Sequence, residues 1–290
     1  MSSQPWTPQS VAHRLSHMLD ALAAAGHSER FPIKVEDLAL QVAAQFKWDD
    51  AVLAVQAAPI PSFDGGLFRV EDKNGWLLLY NDQIKSPGRI RFTQAHELAH
   101  YLLHRSAQDS FSCTARDMVE WGPGGKLIES EADEFASTLL MPLNHFRMHA
   151  DESRIDFDML GKCADLFGVS LTAAALKFIA FTQESAVLIL ARDGFMDWSV
   201  SSDKARKNGA FFKTKGNVIE LPAGTLAADS TIPSERKGKK LAAATWFPHA
   251  HSGSDLREMK LSCDNYGYSL SLLHLSSSDK VWGHWATESH

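Results

Sequence analysis

The chain has 290 residues, of which 44% are hydrophobic and 22% charged, with a formal net charge of −6. This composition is ordinary for a soluble globular protein of two or three compact units. No run of about eighteen apolar residues occurs, and residues 1–10 lack a basic stretch before an apolar one, so we expect neither a membrane span nor secretion by that route. Three cysteines are too few and too scattered for a disulfide framework, which favours a reducing cytoplasm.

The first eighty residues predict two helices followed by short strands. Apolar residues recur at helical spacing over 7–25 and again over 35–46. From Ala51 to Tyr80 the pattern changes to short strands joined by turns, one at Phe63–Gly66 and a hairpin at Asn74–Gly75. We therefore expect a small antiparallel sheet, whose edge could pair with an extended substrate peptide.

The next helix carries the clearest chemical pattern in the chain. Ser86 and Pro87 fit a helix start, and RFTQAHELAHYLLH continues as a helix. His96 and His100, four residues apart, project from nearly the same face, with Glu97 between them. Two imidazole nitrogens so placed suit a zinc ion, which needs a third protein ligand.

His104 continues the four-residue spacing of the two histidines. It would lie about 12 Å from His96 along a helix axis, too far to share one ion. We therefore interpret His104 as structural.

The best source of a third ligand is the predicted helix KLIESEADEFASTLL, which ends at Pro142. Glu129 could complete a His-His-Glu site, and Glu131 is a weaker alternative. Asp133 lies on the same face as Glu129, where it could accept the outer N–H of a ligating histidine and fix its tautomer.

These two segments, in this order, resemble the ImmA/IrrE family of intracellular zinc metallopeptidases, and the resemblance covers roughly residues 31–181. It implies that His96, His100 and Glu129 bind zinc and that Glu97 is the catalytic acid/base. Such a carboxylate takes a proton from water at the metal and delivers it to the leaving amine. Whether the working metal is Zn²⁺ or Mn²⁺ stays open.

The resemblance also implies a substrate. It points to a cytoplasmic endopeptidase of narrow specificity that cleaves a helix-turn-helix transcriptional repressor, in a stress response or in mobile-element control. The alternative is a non-hydrolytic regulator that keeps the metallopeptidase fold and acts by binding a repressor or DNA. No membrane partner is expected.

Two further features lie near the expected site in the sequence. The segment 106–126 has no sustained period and predicts a loop between the two ligand helices, which could act as a lid. His145 and His149 follow the second ligand helix, and each is a candidate to stabilise the oxyanion.

The run ADLFGVSLTAAALKF predicts a helix, a glycine turn and a second helix, and so resembles a helix-turn-helix. The family often places such a unit after its peptidase domain. Residues 151–183 contain five acidic and three basic residues, and so lack the cations that phosphate contacts require. We interpret the unit as structural or protein-docking, and nucleic acid as possible but not favoured.

From Ser185 onward, short strands alternate with turns. Residues 203–240 contain nine basic and four acidic residues, which we interpret as solvated loops, with an acidic partner or nucleic acid as the alternative. The predicted fold is α+β: a zincin-like metallopeptidase domain at 1–150, a helix-turn-helix-like extension at 151–184 and a β-rich C-terminal domain at 185–290. The last domain is sensor-like only by its position in some relatives.

Overall fold

The computed structural model describes residues 6–60, 62–113, 127–263, 267–276 and 281. These divide between two compact units, one within residues 1–147 together with 164–170, the other within 148–163 together with 171–290. The described part is α+β, with eight α-helices and two sheets, which confirms the predicted fold class. The division at residues 150 and 184 stays a prediction.

Five helices begin in the first unit, and two of them, the first and the third, start at a side-chain cap. The side chain of Thr7 accepts a hydrogen bond from the Ser10 N–H in a capping box, and that of Ser86 accepts from the Arg89 N–H. The helices are α1 (Pro8–Ala24), α2 (Val35–Phe46), α3 (Pro87–Ala99), α4 (Leu127–Leu140) and α5 (Leu143–His149).

The first sheet has the order β1-β3-β2-β4. Its strands are β1 (Val52–Ala58), β2 (Gly65–Val70), β3 (Gly75–Asn81) and β4 (Ser110–Cys113). Strands β2 and β3 form the hairpin expected at Asn74, which adopts a positive φ of 42°.

Three expectations for this sheet were wrong. Strand β1 pairs with β3 in parallel, so the sheet is mixed rather than antiparallel. Gly65 and Gly66 begin β2 instead of forming a turn, and β4 lies inside the segment predicted to be a loop. The short β4 is secured by two interactions that the local sequence does not reveal, its pairing with β2 and the burial of Phe111.

Helix α3 packs against β2 and β3 on one side and against α4 on another. Its apolar stripe, including Ala95, Leu98 and Ala99, is fully buried, as are Phe135 and Leu139 of α4. This burial orders the two helices relative to each other. It therefore fixes the positions of the polar residues that they carry.

Helices α6 (Phe157–Phe167) and α7 (Leu171–Phe181) form the predicted helix-turn-helix, with Gly168 at a φ of 63° in the turn. Only Ala180 of α7 is exposed. A helix that reads DNA must present several side chains to a groove, so this burial supports the structural interpretation. Arg91 of α3 donates a hydrogen bond to the Gly168 carbonyl.

No single helix in the described ranges is long and apolar enough to cross a membrane. Helices α6 and α7 meet the length and composition only as a pair bent by 109°.

The second unit contains a five-stranded antiparallel sheet of order β6-β5-β9-β8-β7, which confirms a β-rich C-terminal region. Its elements are β5 (Ser185–Arg192), β6 (Phe195–Ser201), α8 (Asp203–Lys207), β7 (Ser234–Ala242), β8 (Asp255–Cys263) and β9 (Tyr268–Leu275). Val187, Ile189 and Leu273 face a core that also holds Trp246 and Phe247.

Part of the basic stretch 203–240 is neutralised within the second unit. Arg236 lies 2.6 Å from Asp158, and Lys240 lies 2.5 Å from Asp255. Arg236 and Lys240 both belong to β7, which is an edge strand of the sheet. Charged side chains on an edge strand also discourage pairing with another chain.

Candidate metal centre

The histidines predicted as ligands lie at the end of α3. His96 is in its last turn, and His100 begins a π-helical turn, His100–His104, that continues the helix. The sequence predicted an uninterrupted α-helix here, and wide turns of this kind are frequent at functional sites. His96 is 0% and His100 1% exposed, so both rings are held inside the protein.

Glu129, in the first turn of α4, meets both histidines. Its Oε2 lies 3.1 Å from His96 Nε2 and 3.6 Å from His100 Nε2, and the two Nε2 atoms are 3.0 Å apart. Among the described residues, these three side chains form a group that could hold a metal ion. Their ligand atoms all lie within 4.8 Å of one another. They therefore lie close enough to bind one metal ion.

The spacing is compatible with a zinc ion. Zinc bonds of about 2.0–2.2 Å place ligand atoms about 3.4 Å apart in a tetrahedral site. The three observed separations are 3.0, 3.1 and 3.6 Å, two below that value and one above it. Two imidazoles and one carboxylate are also a donor set that leaves a fourth position for water.

Asp133 stands one helical turn after Glu129 and contacts the other side of the His96 ring. Its Oδ1 lies 2.9 Å from His96 Nδ1. A protonated Nδ1 can donate a hydrogen bond to this carboxylate, which leaves the Nε2 lone pair directed at Glu129 and His100.

His104 and Glu131 form a separate contact. Glu131 Oε2 lies 2.9 Å from His104 Nε2, while His104 Nδ1 lies 3.1 Å from His100 Nδ1. Glu131 is thus directed at His104 and lies outside the three-residue group. Sequence reasoning interpreted His104 as structural and did not connect it with Glu131.

Glu97 is 0% exposed and lies against the start of β2. A Cβ atom added at Gly65 would stand 3.2 Å from Glu97 Oε1 and would collide with the methyl group of Thr93. Only glycine therefore leaves this carboxylate its present room. Sequence reasoning missed Gly65, although the Gly65–Gly66 pair marks a close backbone approach.

The pKa values of the two ligand histidines are shifted in opposite directions. Desolvation by burial opposes a charge on His96, but the hydrogen bonds that its ring donates to Asp133 and Glu129 raise its pKa to about 10. Desolvation lowers the pKa of His100 to about 4. Burial opposes ionisation of Glu129, but the two histidines outweigh it and lower the pKa of that carboxyl.

Residues 49–178 match the family model of the IrrE N-terminal-like domain of peptidase M78. This match spans the four strands of the first sheet, both ligand helices and most of the helix-turn-helix. These residues therefore form a domain of the ImmA/IrrE type.

One solved structure is similar to this chain beyond the matched domain. A transcriptional regulator of Mycobacterium tuberculosis is similar over 91% of this chain and 77% of that chain, with a TM-score of 0.51 and 15% sequence identity. At this identity the likeness shows the fold alone. No curated protein matches the chain significantly.

The other residues singled out near the ImmA/IrrE motifs lie elsewhere in the structure. His145 Nε2 contacts Asp20 Oδ1 of α1 at 2.9 Å, and its ring packs edge-on against Phe31. His149 is exposed. Neither is in the ligand group, so an oxyanion role for them stays a prediction, and most of the proposed lid, residues 114–126, is outside the described residues.

Proposed function

We propose that this protein is a zinc-dependent endopeptidase of narrow specificity that acts in the cytoplasm. The observation that carries the proposal is the convergence of His96, His100 and Glu129 within metal-ligand reach, with Glu97 buried on the same helix. A helix that supplies two histidine ligands and a neighbouring glutamate is the arrangement that zinc peptidases use.

The side chains of this chain have distinct tasks in the proposed reaction. When bound to His96, His100 and Glu129, zinc supplies a water of pKa about 7 and polarises the scissile carbonyl. Glu97 accepts the proton of that water at a carboxylate oxygen and then donates it to the nitrogen of the leaving amine. Asp133 accepts a hydrogen bond from His96 Nδ1–H and so holds the imidazole in its ligating orientation.

Zinc is the metal we propose, and manganese is the alternative. The two imidazole donors favour zinc, whereas manganese prefers sites richer in oxygen. The three ligand separations also fit a tetrahedral site.

Strand β4 offers a place for an extended peptide. It pairs only with β2 among the described strands, so its other edge carries backbone groups that a guest strand could use. Phe111 of β4 stacks on the ring of His100, with centroids 4.6 Å apart and planes 16° apart. A peptide paired with this edge would therefore run beside the ligands.

The proposed substrate is a helix-turn-helix transcriptional repressor in a stress-response or mobile-element circuit. The resemblance to the ImmA/IrrE family supports this choice, and so does the fold shared with a transcriptional regulator. The excess of acidic over basic residues in 151–183 supports contact with a protein partner more than with DNA.

Mass spectrometry tests the proposal directly. Purified protein is incubated with a candidate repressor encoded beside its gene, with zinc or manganese, and Glu97→Gln is incubated in parallel. We expect one metal-dependent cut, made by the wild type and absent with Glu97→Gln, while both proteins hold the same amount of metal. Repeated absence of any cut, with a stable complex between the two proteins, would contradict the peptidase.

That second result would favour a non-hydrolytic regulator, which is the other candidate function. The shared fold with a transcriptional regulator across 91% of this chain favours it. The two candidates separate in cells, because a binding regulator keeps its biological activity in the Glu97→Gln variant and a peptidase loses it.

A further inference from the structure

We infer that His104 and Glu131 form a hydrogen-bonded relay that orients His100 as a metal ligand. This inference rests on the metal site of the proposed function. It makes His104 and Glu131 positioning residues, which act on the metal only through His100.

The contacts form an unbranched chain from α4 to the metal-facing ring. Glu131 Oε2 lies 2.9 Å from His104 Nε2, and His104 Nδ1 lies 3.1 Å from His100 Nδ1. The Nε2 atom of His100 remains for Glu129 and His96, at 3.6 and 3.0 Å. His100 thus uses one ring nitrogen for the ligand group and the other for His104.

The placement of the ring protons follows from this order. A neutral histidine carries one ring proton, and the nitrogen that binds metal must not carry it. The proton of His100 is therefore on Nδ1, which donates to an unprotonated His104 Nδ1. The proton of His104 is then on Nε2, which donates to Glu131. Every donor in the chain has one acceptor, and the direction is fixed by the carboxylate.

The relay gives the two ligand histidines equivalent support. His96 reaches a carboxylate directly, since its Nδ1 lies 2.9 Å from Asp133 Oδ1. His100 reaches one through His104. The Phe111 ring stacked on His100 prevents the imidazole from tilting but cannot select its tautomer, which leaves that task to the hydrogen bonds.

Cobalt binding tests the relay, because Co²⁺ enters zinc sites and its visible absorption bands report ligand orientation. The variants are His104→Phe, Glu131→Gln and the double variant. The matched controls are Glu134→Gln, an exposed glutamate on α4, and His17→Phe, an exposed histidine on α1. Each Co²⁺ dissociation constant is measured by competition with a chelator.

We expect His104→Phe to raise the Co²⁺ dissociation constant about 10–100-fold and to shift the bands, as loss of an outer hydrogen-bond partner does in metal sites. Glu131→Gln should raise it about tenfold. The double variant should lose no more than His104→Phe alone, because Glu131 acts through His104. The controls should match the wild type in both readouts.

Three results would overturn the relay. The first is a Co²⁺ dissociation constant and absorption bands in His104→Phe that equal those of the wild type. The second is a double variant in which the losses of Co²⁺ affinity from the two single variants multiply. The third is a loss in Glu131→Gln far above that in His104→Phe, which would make Glu131 a direct ligand. If His104→Phe fails to fold, Glu131→Gln decides alone, since its side chain is 34% exposed, and unchanged affinity and bands overturn the relay.

Failure of the metal site itself has a different signature. The proposed metal site is wrong if the wild type binds no Co²⁺, or if His96→Ala binds Co²⁺ as tightly as the wild type. In that case the relay is wrong as well. If the wild type binds Co²⁺, His96→Ala does not, and the His104 and Glu131 variants bind normally, only the relay is wrong.

Discussion

Gly65 faces the carboxylate of Glu97 so closely that a Cβ atom at this position would stand 3.2 Å from Glu97 Oε1. The glycine belongs to β2 and the glutamate to α3, so the approach depends on how the sheet packs on the helix. The missing side chain therefore defines the position of the proposed acid/base.

The substitution Gly65→Ala should impair catalysis without removing the metal. The new methyl group presses on Glu97 and Thr93, and a misplacement of about 1 Å near the chemistry can lower the rate about 100-fold. Overpacking should also lower the free energy of unfolding by about 1–3 kcal/mol. The measurements are peptide cleavage, zinc content and denaturant unfolding.

Gly66→Ala is the matched control, because its Cβ atom would meet Phe68 and the Phe111 carbonyl instead of Glu97. It should show a similar loss of stability. Equal losses of cleavage in both variants, measured where both are folded, would argue against a specific effect on Glu97.

Zinc binding should release about one proton per chain at pH 6. His96 has its pKa raised to about 10, so at this pH it carries a proton that the metal must displace from Nε2. His100, with its pKa lowered to about 4, is already neutral and releases none. Below pH 7 the zinc affinity should therefore rise about tenfold for each unit of pH.

Calorimetry in buffers with different ionisation enthalpies counts these protons. Asp133→Asn removes the strongest of the contacts that raise the pKa of His96, so this variant should release fewer protons at a given pH. Zinc binding without proton release by the wild type at pH 6 would contradict the assigned role of His96.

Glu258→Ala should destabilise the second unit. Glu258 is 0% exposed and accepts hydrogen bonds from Trp246 Nε1 and from the N–H groups of Leu226 and Ala227. Its removal leaves three donors without this acceptor, which should lower the free energy of unfolding by about 2–4 kcal/mol.

Chemical denaturation followed by fluorescence of the tryptophans measures this loss. The exposed Glu220→Ala in the same unit should change the free energy of unfolding by less than about 0.5 kcal/mol. If Glu258→Ala lowered the free energy of unfolding by no more than Glu220→Ala does, the buried carboxylate would not stabilise the segment around Leu226.

The sequence could predict the parts of the site that depend on helix periodicity. His96 and His100 stand four residues apart, as do Glu129 and Asp133, and in the structure His96 contacts both carboxylates. The link between Glu131 and His104 was not visible by the same rule. Two residues turn an α-helix by about 200°, so Glu131 was not expected on the face of Glu129.

Features that depend on tertiary packing could not be predicted. The contact of Gly65 with Glu97 joins a strand to a helix, and the four-residue β4 exists through its pairing with β2. The parallel pairing of β1 with β3 requires β2 to lie on the far side of β3, which turn signals alone do not indicate. The helices and the hairpin at Asn74 were predictable because apolar periodicity, caps and turn residues specify them locally.

The most direct test is the zinc content of Glu129→Ala, measured by native mass spectrometry in a buffer that fixes free zinc at a low concentration. The wild type and the control Glu134→Ala should each carry one zinc ion per chain, and Glu129→Ala should carry none, because the third ligand is gone. One zinc ion retained by Glu129→Ala would contradict the site, and Glu131 would become the candidate ligand.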